Sequence, residues 1–161
     1  MGRDMSMHIV KDGQIIKKDI FDGRNSEWFS NMSEEGWDDE YDFLNIEYGI
    51  SPKANKDIFT GTEEDKKYYN FYYVSVKDFC DWFINYRPDM RAAWVSTYDK
   101  WRIENKGYIP EDPAHYLSKD DVIEDMHFVE YINKYDCSLW LYEYLMNNNI
   151  DMEADITYWI G

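Results

Sequence analysis

The tetrapeptide Lys11-Asp12-Gly13-Gln14 separates two apolar-rich runs, Met5 to Val10 and Ile15 to Ile20, and constrains the fold more than any other stretch. Asp-Gly is a strong hairpin signal, because both residues tolerate the positive φ that a tight two-residue turn demands. Two antiparallel strands are therefore expected at the start of the chain. At the other end Asp155-Ile156-Thr157-Tyr158-Trp159-Ile160 alternates and reads as a last strand beside one of the first two.

Helical patterns fill much of the interval. Ser26 to Met32 reads as a short helix with Asn25 or Ser26 as its N-cap. Tyr69 to Val74 has strand propensity, and Ser75-Val76-Lys77-Asp78 resembles a capping box opening a helix with Phe79, Trp82, Phe83 and Tyr86 at three- and four-residue spacing. A second helix is expected from Met90 to about Asn105, with Trp94, Tyr98 and Trp101 on one core face. Beyond the linker marked by Pro110 and Pro113, Ser118 opens an amphipathic helix to about Lys134, and Cys137 to Met146 follows as a helix with Asp136 as its cap. The sum is one α+β domain over residues 1–161: a small antiparallel sheet, N-terminal hairpin plus C-terminal strand, packed against several amphipathic helices. An irregular acidic excursion at about 33–67, broken by Gly36, Gly49, Pro52 and Gly61, interrupts it.

Charge is unevenly placed. The net charge is −16, from 33 acidic and 17 basic residues. Residues 33–65 hold 11 acids against Lys53 and Lys56, and residues 111–130 hold seven against Lys119, so local nets of −9 and −6 leave −1 for the rest. Direct binding of duplex nucleic acid through phosphates is disfavoured, and a basic partner is favoured. The chain has no long apolar run and no basic-then-apolar leader, so the expectation is a soluble cytoplasmic protein with no membrane partner. Cys80 and Cys137 lack CxxC spacing and read as reduced thiols.

No complete catalytic, metal or nucleotide motif occurs, and neither a cofactor nor a metal is expected. Gly23-Arg24-Asn25 carries two readings. In one, Gly23 turns the chain, free helix amides point outward, and Arg24 supplies a forked donor for phosphate or carboxylate, with Asp4 close by. In the other, Arg24 pairs with Asp4 or Asp22 and Asn25 merely caps the helix. His8, His115 and His127 are too scattered for a metal site, and an Asp4–His8 hydrolytic pair lacks any supporting motif. Glu34, Glu35, Asp38, Asp39, Glu40 and Asp42 interleave with Trp37 and Tyr41, and with Phe43 they form a candidate partner-binding segment.

Met1-Gly2-Arg3-Asp4-Met5, followed by Gly23-Arg24-Asn25 and an aromatic helix, resembles an uncharacterised phage and prophage family whose members open Met-Gly-Cys-Asp-Ile-His and carry Gly-Arg-Asn-Tyr-Asp-Leu-Phe. The resemblance covers about the first third of the chain. Gly2, Asp4, Gly23, Arg24 and Asn25 match; Arg3 and Ser6 stand where the family has Cys and His, which removes a thiol or metal ligand there. The resemblance implies a phage setting, in the cytoplasm of a bacterial host, and supplies no activity. The favoured expectation is a non-enzymatic acidic inhibitor of a host nucleic-acid-handling or defence protein, such as a CRISPR or other nuclease, acting by nucleic-acid mimicry. A small-molecule binder, such as a nucleotide immune-signal sponge using Arg24 and Asn25, is the alternative, and a hydrolytic enzyme comes third.

Overall fold

A computed structural model of the chain describes residues 4–24, 26–34, 36, 39–55, 57–59, 61–87, 90–108, 120–132 and 136–161. The chain forms two compact units, residues 1–87 with 137–161 and residues 88–136, where the sequence reading expected one domain.

In the first unit the hairpin forms as expected. Strand β1 (Asp4–Lys11) and β2 (Gln14–Arg24) meet at Asp12 and Gly13, whose φ values of 54° and 76° both lie in the left-handed region that such a turn needs. The last strand, β7 (Asp155–Ile160), pairs antiparallel with β1 on one side and with β4 (Asn70–Ser75) on the other. With the two-residue β3 (Glu47–Tyr48) the sheet runs β2-β1-β7-β4-β3, an α+β arrangement.

All six residues of β7 are buried, so both faces of the sheet are covered. On one face Met5, Met7, Ile9, Tyr72, Val74, Ile156, Tyr158 and Ile160 pack with side chains from three helices. These are α1 (Ser26–Asn31), α3 (Val76–Tyr86) and α5 (Ser138–Asn147). Ser75 caps α3 as its spacing predicts, its hydroxyl accepting the Asp78 N–H at 3.0 Å. On the opposite face Val10, Ile58 and Trp159 form a smaller cluster with Ile50, Phe59, Tyr69 and Phe71. Part of the 33–67 excursion therefore acts as a lid on the sheet. It is tied down where Ser51 Oγ donates to buried Asp155 at 2.6 Å and Lys53 Nζ lies 3.4 Å from the same carboxylate. The excursion also holds a short 3-10 helix (Asp39–Phe43) and α2 (Glu63–Lys66).

The second unit departs from expectation. Met90–Val95 is strand β5, paired antiparallel with β6 (His127–Ile132), and only Thr97–Lys106 is helical, as α4. Ala93, Val95, Val129 and Tyr131 bury together, so cross-strand packing overrides the helical periodicity of Trp94, Tyr98 and Trp101. Trp94 packs edge-on against Phe128, while Tyr98 and Trp101 stack on each other in the open. Ser96 sets the start of α4 by accepting the Asp99 N–H, repeating the Ser-x-x-Asp signature of Ser75. The helix expected from Ser118 to Lys134 fails too, because residues 127–132 are the partner strand; residues 111–119 and 133–135 lie outside those described. Cys137, not Asp136, occupies the N-cap position of α5, and Asp136 lies 3.9 Å from Arg91.

Replacing Asp155 with Ala strands the Ser51 hydroxyl and unties the lid, which should cost about 1–3 kcal/mol. Urea unfolding of the two proteins measures this, and equal midpoints would show that the anchor contributes nothing.

Candidate functional site

The lid and the hairpin leave a cleft of about 970 Å³ over the sheet face that carries Ser6, His8 and Trp159. Its size lies within the usual range of small-molecule sites.

His8 is the feature at its base that needs explaining. It is 3% exposed, and its ring lies 4.9 Å from that of Trp159. The β1–β2 register explains its surroundings: Met7 pairs with Phe21 and Ile9 with Lys17, so three residues of β2, Lys18 to Ile20, stand opposite His8 alone. The extra length forms a bulge, a device that re-aims groups near sites. Asp19 takes φ 49° within it, and its N–H donates to His8 Nδ1 at 2.9 Å. Because Nδ1 accepts, the proton of the neutral ring sits on Nε2. Nε2 is buried with no hydrogen-bond partner, and the nearest carboxylate oxygen, Asp19 Oδ1, is 3.7 Å away. Burial lowers the pKa of His8 below its ordinary 6.5, with Asp19 acting in the opposite sense.

The walls are aromatic and acidic. Phe59 meets Trp159 edge-on at 5.5 Å, and Tyr69 packs beside Phe59. Asp4, Asp19, Asp57 and Asp65 line the cleft against Lys18 as its only lining cation among the described residues. Gly161 leaves room for Tyr69, whose ring comes within 2.4 Å of where a Cβ on Gly161 would stand.

The sequence candidates are placed as follows. Gly23 lies inside β2 opposite Met5 and not at a turn, and Arg24, opposite Asp4, donates from Nε to Asp4 Oδ1 at 2.6 Å. Both partners are largely exposed, 69% and 51%, so the pair is screened by water. Asn25, Glu35, Trp37 and Asp38 lie outside the described residues. Glu34, Asp39 and Asp42 are exposed and Glu40 is half-buried. Tyr41, expected among the partner contacts, is buried instead: its ring packs 4.6 Å from Trp82, whose Nε1 donates to the Glu40 carbonyl. Phe43 is 60% exposed and stacks on Tyr86 at 4.7 Å.

No motif surrounds His8 in the sequence. The one available signal was a histidine at an inward position of a strand facing an overlong partner, and only the register reveals the overlength. Among the described residues no cluster of three His, Cys, Asp or Glu is placed to hold a metal ion, and no helix is long and apolar enough to cross a membrane. Neither Cys80 nor Cys137 forms a disulfide, and burial pushes the Cys80 thiol up to about 11, leaving it protonated and unreactive at neutral pH. Comparison of the chain with family models, curated proteins and solved structures finds no match.

With the folded pKa of His8 depressed, the unfolded chain takes up a proton below about pH 6.5 that the folded protein refuses, so His8 costs stability progressively as pH falls through that value and nothing above it. His8→Gln, which keeps an acceptor for the Asp19 N–H and does not titrate, should flatten the loss of stability between about pH 7 and pH 5; identical pH slopes for the two proteins would contradict the assignment. Arg24→Ala should leave the melting temperature near that of the parent, since the pair it breaks is exposed. A large fall would assign that pair a structural weight its exposure does not support.

Proposed function

We propose that the protein is a non-enzymatic acidic binding protein that captures a basic partner of the nucleic-acid-handling kind, a host defence nuclease being the partner a phage protein of this charge would meet. The observation that carries this reading is the state of the acids in residues 33–65. Glu34, Asp39, Asp42, Glu47, Asp57, Glu63, Glu64 and Asp65 are all exposed, and none forms an ion pair among the described residues. Carboxylates neutralised within the fold would be bridged to lysine or arginine; Lys53 is instead directed to Asp155.

Two of the acidic clusters are carried on short helices. Asp39, Glu40 and Asp42 share the 3-10 helix, and Glu63, Glu64 and Asp65 make the first turn of α2, where Thr62 and Asp65 cap reciprocally. Asp39, Asp42, Glu63, Glu64 and Asp65 form no ion pair among the described residues, and like charges so placed repel and lower stability, which supports a role outside folding. The exposed Phe43–Tyr86 stack adjoins the first cluster and supplies an aromatic surface to desolvate against a partner, while the acids steer the encounter.

Capture from a host lysate at low salt identifies the partner, and its association rate is then measured against salt. The rate should fall by roughly tenfold or more between ~0.01 M and ~1 M salt, as the screening length shrinks from ~30 Å to ~3 Å. Asp39→Asn with Asp42→Asn should slow association and reduce that dependence. A rate indifferent to salt would remove the reading.

A further inference from the structure

We propose that the cleft over His8 is a ligand site for a small, unphosphorylated, planar heterocycle of the nucleobase class, a site that shares Asp57 and Asp65 with the acidic surface but is defined by His8 and its aromatic walls. His8 is 97% buried by its 3% exposure, its Nδ1 is occupied by the Asp19 N–H, and its Nε2–H is therefore a donor with no acceptor. Buried donors left in this state are rare in folded proteins and cluster where a ligand or water completes them. Asp19 Oδ1, at 3.7 Å, is too far to do so. His8 lines the cleft, and its Nε2, closed off from solvent in the free protein, meets an acceptor brought by a ligand when the side chains covering it shift.

The rest of the cleft defines what carries that acceptor. Trp159 and Phe59 stand edge to face beside His8, with Tyr69 next to them, and such walls favour a flat ring. Asp19, Asp57 and Asp65 present acceptors at its sides, so the ligand must also carry N–H donors. A ring bearing a carbonyl or imine nitrogen next to amino or imino groups meets both demands, and the nucleobases are the common molecules of this kind. Phosphate is disfavoured, since Asp4 is paired with Arg24 and the lining carboxylates Asp19, Asp57 and Asp65 face Lys18 as the only lining cation among the described residues, so their repulsion acts at close range. The base or nucleoside is the ligand, and the nucleotide and the strand are excluded by charge. The bulge that holds Asp19 at φ 49° is the local distortion that keeps Nδ1 occupied and Nε2 free to donate.

The test titrates the intact protein with adenine, guanine, cytosine, uracil and their ribonucleosides, with the 5′-monophosphates and a short single-stranded oligonucleotide as further arms. Melting temperature and calorimetry read binding, and ring ¹⁵N spectra of His8 read its place. At least one base or nucleoside should raise the melting temperature, bind at least tenfold more tightly than its monophosphate, and shift the His8 Nε2–H resonance. His8→Phe should abolish that binding; if this variant does not fold, the ring spectrum of the unaltered protein decides alone. Failure of every base and nucleoside to bind, tighter binding of the monophosphate or oligonucleotide, or binding that leaves the His8 ring unmoved would each overturn the proposal.

Discussion

Strand β7 is buried along its whole length, and the remainder of the first unit is arranged around it. Its pleat sends Ile156, Tyr158 and Ile160 into the large core and Trp159 into the smaller one, so a single strand nucleates both faces. Tyr158 is fully buried, its hydroxyl donating to the Met32 carbonyl at 2.6 Å and its ring stacked on Tyr72. An aromatic ring of this kind removes roughly 200 Å² from water, worth on the order of 5 kcal/mol as an upper bound, and the hydroxyl bond avoids the penalty of a stranded polar atom. Deep burial also holds the phenol protonated, its pKa well above the ordinary 10.0.

The cleft depends on the same strand. Trp159 forms part of its floor, and β1, held in register with β7 from Met5 to Val10, fixes His8 beside it. With β1 locked to β7, the surplus residues of β2 have no freedom to slip the ladder and must bulge. The Asp19 amide is thereby turned onto His8, and the imidazole acquires one occupied nitrogen and one free donor. The acid-rich segment reaches the rim of the same cleft through Asp57 and Asp65, while its short helices are fixed by a cap at Thr62 and by the packing of Tyr41 on Trp82.

The parts of this fold that were legible in the sequence are those governed by local chemistry. Asp12-Gly13 forces a turn of one kind, Ser75 with Asp78 opens a helix, and Asp155–Ile160 alternates; each reappears where its residues place it. Errors arose where tertiary pairing competes with periodicity. Met90–Val95 has helical spacing but pairs with His127–Ile132, and the same pairing undoes the second expected helix. Tyr41 lies in an acidic run yet is drawn inside by Trp82, which no local pattern announces. The His8 environment was illegible for a deeper reason: it arises from a count of residues between two registers, a property of the paired strands and not of either alone.

Both the cleft and its electrostatics rest on one protonation state, so the ring ¹⁵N shifts of His8 in the free protein at neutral pH test the account most directly. A neutral imidazole is expected, with its proton on Nε2 and Nδ1 acting as the acceptor of the Asp19 N–H. An imidazolium, or a neutral ring with the proton on Nδ1, would contradict it.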